Sequence, residues 1–247
     1  MIRSAVRRLG RLVTKRAPET RAADIEPDFW PLYDACRDAT MTSIERLYAL
    51  HKAVDYVVRH DIPGDFVECG VWRGGSVMMM ALTLHGLGAT RAIHCYDTFE
   101  GMPPPSGADV RDETGEDAAA ILARTPKQDG DNMWAIAALD LVRQNVRSTG
   151  YPEYLVSYHK GLVEETVPAS APQAISLLRL DTDWYESTKH ELVHLYPRLA
   201  SGGILIIDDY GFWRGARKAT DEYLAESQAT LFLSRIDDTG RIGVRID

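Results

Sequence analysis

Two short motifs within residues 178–199 could carry chemistry, and they predict different enzymes. Residues 181–183 read Asp-Thr-Asp, the D-x-D pattern with which many glycosyltransferases hold a metal ion on a nucleotide sugar. Residues 190–194 read His-Glu-Leu-Val-His and fit the H-E-x-x-H pattern of zinc proteases. One site can hardly serve both chemistries, so we examine the neighbouring sequence to choose between the two interpretations.

The zinc motif has an ordinary structural interpretation. Thr188 and Glu191 have the spacing of a capping box, which predicts a helix that begins at Thr188. His190 and His194 would then share one face of that helix, as zinc ligands must. However, the protease signature needs a third ligand, and no further His or Glu at a suitable distance is evident. We therefore interpret the two histidines as part of a helix surface.

The aspartates of the D-x-D motif belong to a larger pattern of acids that follow predicted strands. Asp181 and Asp183 end the apolar run AISLLRL, and Asp208 and Asp209 end the run GGILII. If these two strands are neighbours about 4.8 Å apart, Asp181, Asp208 and Asp209 meet at one edge of the sheet. Carboxylates that close repel one another unless a cation lies between them. Their oxygens suit Mg²⁺, Mn²⁺ or Ca²⁺, and the alternative, capping of the following helices, accounts poorly for three converging acids.

A glycine-bearing turn earlier in the chain indicates a nucleoside cofactor. Residues 68–76 read ECGVWRGGS, in which Gly70 allows close approach of a ligand and Ser76 can hydrogen-bond at the start of the next helix. Asp97 lies 27 residues after Gly70, where an acid can accept both hydroxyls of a ribose. Glu68 would repel a pyrophosphate but not the ammonium of S-adenosylmethionine. The alternative is a tight turn with a capping serine and no ligand.

A cofactor pocket and a hard cation at one sheet edge predict methyl transfer to a hydroxyl. A metal ion lowers the pKa of a bound hydroxyl, ideally one of a vicinal pair that chelates the ion. A nearby carboxylate then takes the proton, and the oxygen attacks the sulfonium methyl in line. Asp183, two residues after Asp181, is the candidate base.

These residues need a sheet to position them, and the apolar pattern predicts one. Nearly continuous apolar strands are predicted near residues 66–71, up to Asp97, and near residues 153–161, 174–183 and 202–211. Helices are predicted over 42–60, from the glycine turn to 86–88, over 136–148, before 202 and over 215–226. This alternation predicts an α/β fold with a doubly wound, mostly parallel, Rossmann-like sheet. A C-terminal antiparallel hairpin is predicted around residues 237–240.

Composition narrows the class of protein. The formal net charge of -8 argues against general nucleic-acid binding. The 3 cysteines have unremarkable spacing and indicate reduced, packed residues of a cytoplasmic protein. No stretch of the sequence reaches the apolar length of a membrane span.

The chain divides into an N-terminal extension and one domain. Residues 1–40 are predicted to be a basic, partly helical arm followed by an irregular segment, and residues 41–247 form the domain. Residues 1–16 carry six basic residues and no acid, with apolar positions on one helical face. Such a helix can make weak contact with an anionic membrane surface, and the alternative is a frayed helix or an arm on a partner subunit. Residues 102–135, rich in Pro, Gly and acids, are predicted to form a lid or substrate loop.

Several ordered blocks between residues 40 and 227 resemble the macrocin O-methyltransferase family. They are FVECGVWRGGS, YDTFEGMP, LDTDWYESTKHELVHLYPRL, GGILIIDDYG and GARKATDEY. The resemblance implies S-adenosylmethionine- and Mg²⁺-dependent methylation of sugar hydroxyls, including those of macrolide and aminocoumarin antibiotics. It thus implies a sugar-containing small molecule as the acceptor and, together with the N-terminal arm, a homo-oligomer.

The same resemblance assigns residues to roles. It implies that the metal ligands are Asp181, Asp208 and Asp209, that the base is Asp183, and that the cofactor residues are Glu68, Gly70, Ser76 and Asp97, with Gly161 near the adenine. Three alternatives stay open at this point: a glycosyltransferase that uses Asp181 and Asp183, a catechol-type methyltransferase, and a binding protein that has lost catalysis.

Overall fold

The computed structural model describes residues 21–128 and 133–247. The predicted basic arm, residues 1–16, lies outside the described residues. No helix in the described part of the chain is both long enough and apolar enough to cross a membrane.

A seven-stranded mixed sheet forms the centre of the molecule, as predicted. Its strands are β1 (Asp65–Cys69), β2 (Ile93–Asp97), β3 (Val156–Lys160), β4 (Ile175–Leu180), β5 (Leu199–Ile207), β6 (Leu231–Arg235) and β7 (Arg241–Arg245). Their order is β3-β2-β1-β4-β5-β7-β6, with the first five parallel. Strand β7 pairs antiparallel with both β5 and β6, so the predicted C-terminal hairpin is confirmed.

Helices cover both faces of this sheet. They are α1 (Phe29–Cys36), α2 (Ile44–Arg59), α3 (Gly75–Gly86), α4 (Ala118–Arg124), α5 (Leu139–Arg147), α6 (Val163–Thr166), α7 (Tyr185–Leu195) and α8 (Arg214–Ser227). Successive strand residues alternate between the two layers, so Phe66 packs with the core under α1, α2, α3 and α5. Val67 packs with the opposite core under α6, α7 and α8. The fold is therefore the doubly wound α/β arrangement that the sequence predicts.

The prediction of an irregular segment before residue 41 is wrong for residues 29–36. These residues form α1, which buries Phe29, Trp30, Tyr33 and Cys36. The positions are spaced so that one helical face packs on α3. The apolar stripe covers only about two turns between polar flanks, which is too short for periodicity to distinguish it from a loop.

Helix α7 also begins earlier than predicted, at Tyr185 rather than Thr188. The backbone N–H of Tyr185 donates to Asp109 Oδ1 over 2.7 Å, so a carboxylate from a distant segment satisfies the first turn. Thr188 instead lies buried inside the helix. Local sequence could not reveal a cap that is supplied from 76 residues away.

The lid segment, residues 102–135, contains more order than its composition indicates. It includes α4, whose N-cap Asp117 accepts from the Ala120 N–H. Isolated antiparallel bridges join Val110 to Asp117 and Arg111 to Trp213. Apolar residues of α4 pack in a small cluster with Trp184, Trp213 and Ala216. The described part of the lid is thus anchored on the start of α8.

Candidate active site

The register of the sheet brings the predicted site residues to one edge. Cys69 of β1 is level with Leu180 of β4, which is level with Ile207 of β5. The residues that follow these strand ends, Gly70, Asp181 and Asp208, therefore emerge side by side. Gly70 has φ +81°, and a Cβ atom there would lie 1.9 Å from the Asp181 carbonyl oxygen. Only glycine allows this close approach of the two strand ends.

The three predicted metal ligands form one cluster. One carboxylate oxygen from each of Asp181, Asp208 and Asp209 lies within 4.8 Å of the others. Asp183 lies beside them in the left-handed region with φ +68°, and its carboxyl shares a hydrogen bond with Asp209. A left-handed backbone at a non-glycine residue costs free energy, which is typical of a functional site.

Two guanidinium groups contact this cluster, which the sequence analysis did not anticipate. Arg179, on β4, is 2% exposed, and its nitrogens lie 2.8 Å from Asp181 Oδ2 and 2.6 Å from Asp208 Oδ1. The same side chain pairs with Glu68, and Arg46 of α2 binds both Asp208 and Asp237. Arginine side chains therefore neutralise part of the negative charge for which the sequence analysis invoked a metal ion.

The arginines do not balance the negative charge. Six carboxyls are joined by ion pairs or hydrogen bonds around the cluster: Glu68, Asp181, Asp183, Asp208, Asp209 and Asp237. The positive groups among them are the guanidiniums of Arg46 and Arg179. Six acids minus two bases leaves a formal excess of four negative charges if every carboxyl is ionised. Such an excess favours either protonation of some carboxyls or a bound cation.

Burial raises the pKa of several of these acids. It raises the pKa of Asp183 to about 7, although the hydrogen bond with Asp209 opposes the shift. The pKa of Asp181 is raised well above its ordinary value by burial and by Asp208, despite the neighbouring Arg179. Burial likewise raises the pKa of Glu68 to about 7 against the attraction of Arg179. Asp183 and Glu68 can therefore exchange protons near neutral pH.

Two cavities meet at this edge of the sheet. The first is lined by Gly70, Asp97 and Gly161, with Met102, Pro103 and Leu162 as apolar walls. The second is lined by Glu68, Ser76, Asp208 and Asp209, with Arg46, Arg111, Phe212 and Trp213. Met41, Trp72, Asp181 and Asp183 line both cavities. The predicted cofactor residues are thus divided between two connected spaces, and the two D-x-D aspartates lie at their junction.

Asp97 shapes the glycine turn of the first cavity. Its Oδ2 atom accepts the backbone N–H groups of Val71 at 2.7 Å and Trp72 at 3.0 Å. Its Oδ1 atom accepts the N–H of Phe99 at 2.6 Å. Because three backbone donors already use this carboxylate, it holds the turn in place. The role predicted for it in binding a ribose stays a prediction.

Comparison with known proteins identifies the family. The family model described as macrocin-O-methyltransferase (TylF) matches residues 9–242, which is nearly the whole chain. The chain belongs to the macrocin O-methyltransferase family. The resemblance of the sequence motifs is therefore confirmed, and the protein is an O-methyltransferase.

Relatives of this methyltransferase are similar over most of their length. It is 34% identical over 242 residues to 8-demethyl-8-(2,3-dimethoxy-alpha-L-rhamnosyl)-tetracenomycin-C 4'-O-methyltransferase of Streptomyces olivaceus, covering 94% of this chain and 87% of the relative. It is 32% identical to demethyldecarbamoylnovobiocin O-methyltransferase of Streptomyces niveus, covering 81% of this chain and 73% of that one. The solved structure of the O-methyltransferase NovP matches with a TM-score of 0.73 at 31% identity, covering 85% of this chain and 83% of NovP.

In this methyltransferase the H-E-x-x-H residues have structural roles. His190 Nε2 lies 2.9 Å from the carbonyl oxygen of Val167, and its ring packs against that of His194. Glu191 is fully buried and accepts the Thr182 hydroxyl at 2.9 Å. Within residues 21–128 and 133–247, the only group of three or more potential ligands is the aspartate cluster. The interpretation of the motif as an ordinary helix is consistent with these contacts.

Several residues at the methyltransferase cavities carry no sequence signal of their own. Met41 precedes α2, Trp72 lies in the glycine turn, and Arg111 lies in the lid segment. A residue type alone predicts neither its direction nor its distance from strand ends far away in sequence. Trp72 could have been suspected, because it lies between Gly70 and Gly74 of the turn.

Proposed function

We propose that the protein transfers the methyl group of S-adenosylmethionine to a hydroxyl of a sugar in a glycosylated small molecule, with Mg²⁺ bound by Asp181, Asp208 and Asp209. The observation that carries this proposal is that Asp181 and Asp183 line both cavities. A donor that lies mainly in the first space and an acceptor in the second would therefore meet at these carboxylates. The tetracenomycin relative is named for methylation of a rhamnosyl compound, which supports a sugar as acceptor.

The first cavity and the adjoining α3 side of the second suit the methyl donor. Asp97 and Gly161 flank the space for the nucleoside. Glu68 Oε2 is buried and has no hydrogen-bond partner among the described residues, so it can accept the ammonium of the methionine part. Ser76 lies in the first turn of α3, where free N–H groups favour the carboxylate.

The aspartate cluster suits Mg²⁺ on two grounds. Three carboxylate oxygens form a donor set that hard divalent cations prefer. Asp209 Oδ2 is buried without a hydrogen-bond partner in the described part of the chain, and the cluster retains excess negative charge. When bound, Mg²⁺ would supply positive charge that lowers the pKa of a hydroxyl of the acceptor.

Asp183 is the residue that would take the proton from that hydroxyl. Its position at the junction puts a carboxylate beside both spaces, and a pKa of about 7 suits a general base at neutral pH. An O–C bond then forms as the S–C bond breaks. The products are the methyl ether, S-adenosylhomocysteine and the proton held by Asp183.

The first test is calorimetric titration with S-adenosylhomocysteine, once in Mg²⁺ and once in EDTA. Micromolar affinity under both conditions is the expected result, because the proposed metal serves the acceptor rather than the cofactor. Absence of binding under both conditions would contradict the donor assignment.

A matched pair of variants then tests the metal. Asp208→Asn should abolish most methyl transfer and weaken Mn²⁺ binding, followed by electron paramagnetic resonance, while S-adenosylhomocysteine still binds. Asp238→Asn is the control, since Asp238 is 96% exposed in the hairpin turn. If Asp208→Asn kept both its turnover and its Mn²⁺ affinity, the metal assignment would be wrong.

A further inference from the structure

Arg111, in the lid segment, directs its side chain at the second cavity from a fixed backbone. Its N–H donates to the Glu116 carbonyl over 2.9 Å, and the residue bridges to Trp213. The guanidinium carbon lies 4.8 Å from the centre of the Phe212 ring, and both residues line the cavity. This cation–π contact holds the guanidinium group against the wall of the cavity.

The side chain of Arg111 lacks the partners that its neighbours have. Asp112 pairs with Arg214 at 3.1 Å and Arg217 at 2.8 Å, and Glu116 pairs with Arg124. No ion pair joins Arg111 to a carboxylate within residues 21–128 and 133–247. Its Nε atom is buried and has no hydrogen-bond partner in the same ranges. A buried donor of this kind destabilises the protein unless a ligand satisfies it.

We propose that Arg111 determines acceptor specificity by donating hydrogen bonds to two adjacent oxygens of the acceptor, apart from the hydroxyl that is methylated. This inference rests on the proposed function. A guanidinium presents its N–H groups in a fixed fork, which matches a pair of oxygens better than a single one.

The surroundings of Arg111 favour a neutral oxygen pair, such as vicinal sugar hydroxyls. The same cavity contains Asp208 and Asp209, and the connected acids exceed the bases there, so an anionic group would be repelled. The half-buried ring of Phe212 lines the same cavity and offers an apolar surface to a sugar. The acceptor is therefore a polyhydroxylated glycoside in which two adjacent hydroxyls, apart from the one that is methylated, face the lid.

The test uses a panel of nitrophenyl glycosides and radiolabelled S-adenosylmethionine. The best acceptor of the wild-type enzyme is compared with its monodeoxy analogues. For Arg111→Met we expect kcat/KM to fall about 10- to 100-fold, mainly through the KM of the acceptor, with unchanged affinity for S-adenosylhomocysteine. Arg111→Lys keeps the charge but loses the fork, so it should remain well below the wild type.

Two comparisons make the outcome decisive. Arg124→Met removes an exposed lid arginine that does not line either cavity, and it should leave kcat/KM nearly unchanged. For the wild type, one monodeoxy analogue should have a lower kcat/KM than the parent glycoside. For Arg111→Met, the same analogue and the parent glycoside should have nearly equal kcat/KM. Equal losses in Arg111→Met and Arg124→Met, or equal deoxy effects in wild type and variant, would overturn the inference. If the wild type methylates no glycoside, the proposed function fails instead.

Discussion

Arg179 lies on β4 and Asp208 directly follows the adjacent strand β5, and their side chains meet with Nη2 2.6 Å from Oδ1 at the edge where the two cavities join. The same guanidinium holds Asp181 on its own strand end and Glu68 on the neighbouring strand. One buried cation therefore ties together acids from β1, β4 and β5. The geometry of the site depends on a residue that cannot reach solvent.

Replacement of Arg179 should destabilise the fold strongly. In Arg179→Met the carboxylates of Asp181, Asp208 and Glu68 lose their buried partner, which typically costs about 3–5 kcal/mol of unfolding free energy. Urea unfolding followed by circular dichroism measures the change, and Arg124→Met, which removes an exposed ion pair, should change the unfolding free energy far less. Similar unfolding free energies for the two variants would contradict this interpretation. Unfolding of Arg179→Lys measures the same loss of stability in a variant that keeps the positive charge.

Asp97→Asn should loosen the glycine turn. The amide offers one acceptor oxygen where the carboxylate offers two, and its NH₂ group would face backbone donors of Val71 and Trp72 or of Phe99. We expect a loss of about 1–3 kcal/mol in unfolding free energy and weaker S-adenosylhomocysteine binding. Thermal melting and calorimetry measure both effects. A variant with wild-type stability and reduced cofactor affinity would mean that Asp97 contacts the ligand rather than holding the turn.

Asp109 and Gly215 should show strong energetic coupling. Asp109 is fully buried and accepts from the Tyr185 N–H and from Ser106, and a Cβ atom on Gly215 would lie 1.9 Å from its Oδ1 atom. Gly215→Ala must therefore displace the carboxylate that caps α7. Its cost should largely disappear when Asp109 is already alanine, and a double-mutant cycle on urea unfolding measures this coupling. Additive effects would show that the carboxylate does not bridge the two helix starts.

Asp237 should make stability depend on pH in the acid range. Although burial opposes the shift, hydrogen bonds from Ser43 and Gly240 and the charge of Arg46 lower the pKa of Asp237 to about 2. A lowered pKa in the folded state adds stability above the pKa of the unfolded chain, and this stability is lost as the pH falls through about 2. The stability difference between wild type and Asp237→Asn should thus shrink from about pH 5 downward, as thermal melting can follow. A difference that does not vary with pH would rule out this linkage.

Sequence patterns predicted the sheet and the acids at its edge because both follow from local rules. Apolar runs such as residues 175–180 have few alternatives to a buried strand, and the residue after such a run must emerge at the carboxyl edge. The proximity of Asp181 and Asp208 could therefore be predicted from the sequence alone. The sequence analysis also selected Gly70, but for close approach of a ligand, whereas the structure shows close approach of the backbone of Asp181.

The arginines and the lid could not be placed in the same way. Arg179 interrupts an apolar strand, where periodicity gives no reason for a buried charge and no partner for it. Arg46 lies on α2, and its contact with Asp237 depends on how two elements far apart in sequence pack together. The capping of α7 by Asp109 is equally non-local, which is why the predicted start of that helix was wrong.

The contact between Arg46 and Asp237 spans 191 positions of the chain, and it has a consequence for folding kinetics. Contacts between such distant segments form late, because the closure of a long loop must precede them. During refolding from urea, helical circular dichroism should recover before the ability to bind S-adenosylhomocysteine does. The active site would then be among the last parts of the protein to mature, and an incompletely folded chain would be inactive even with most of its secondary structure in place.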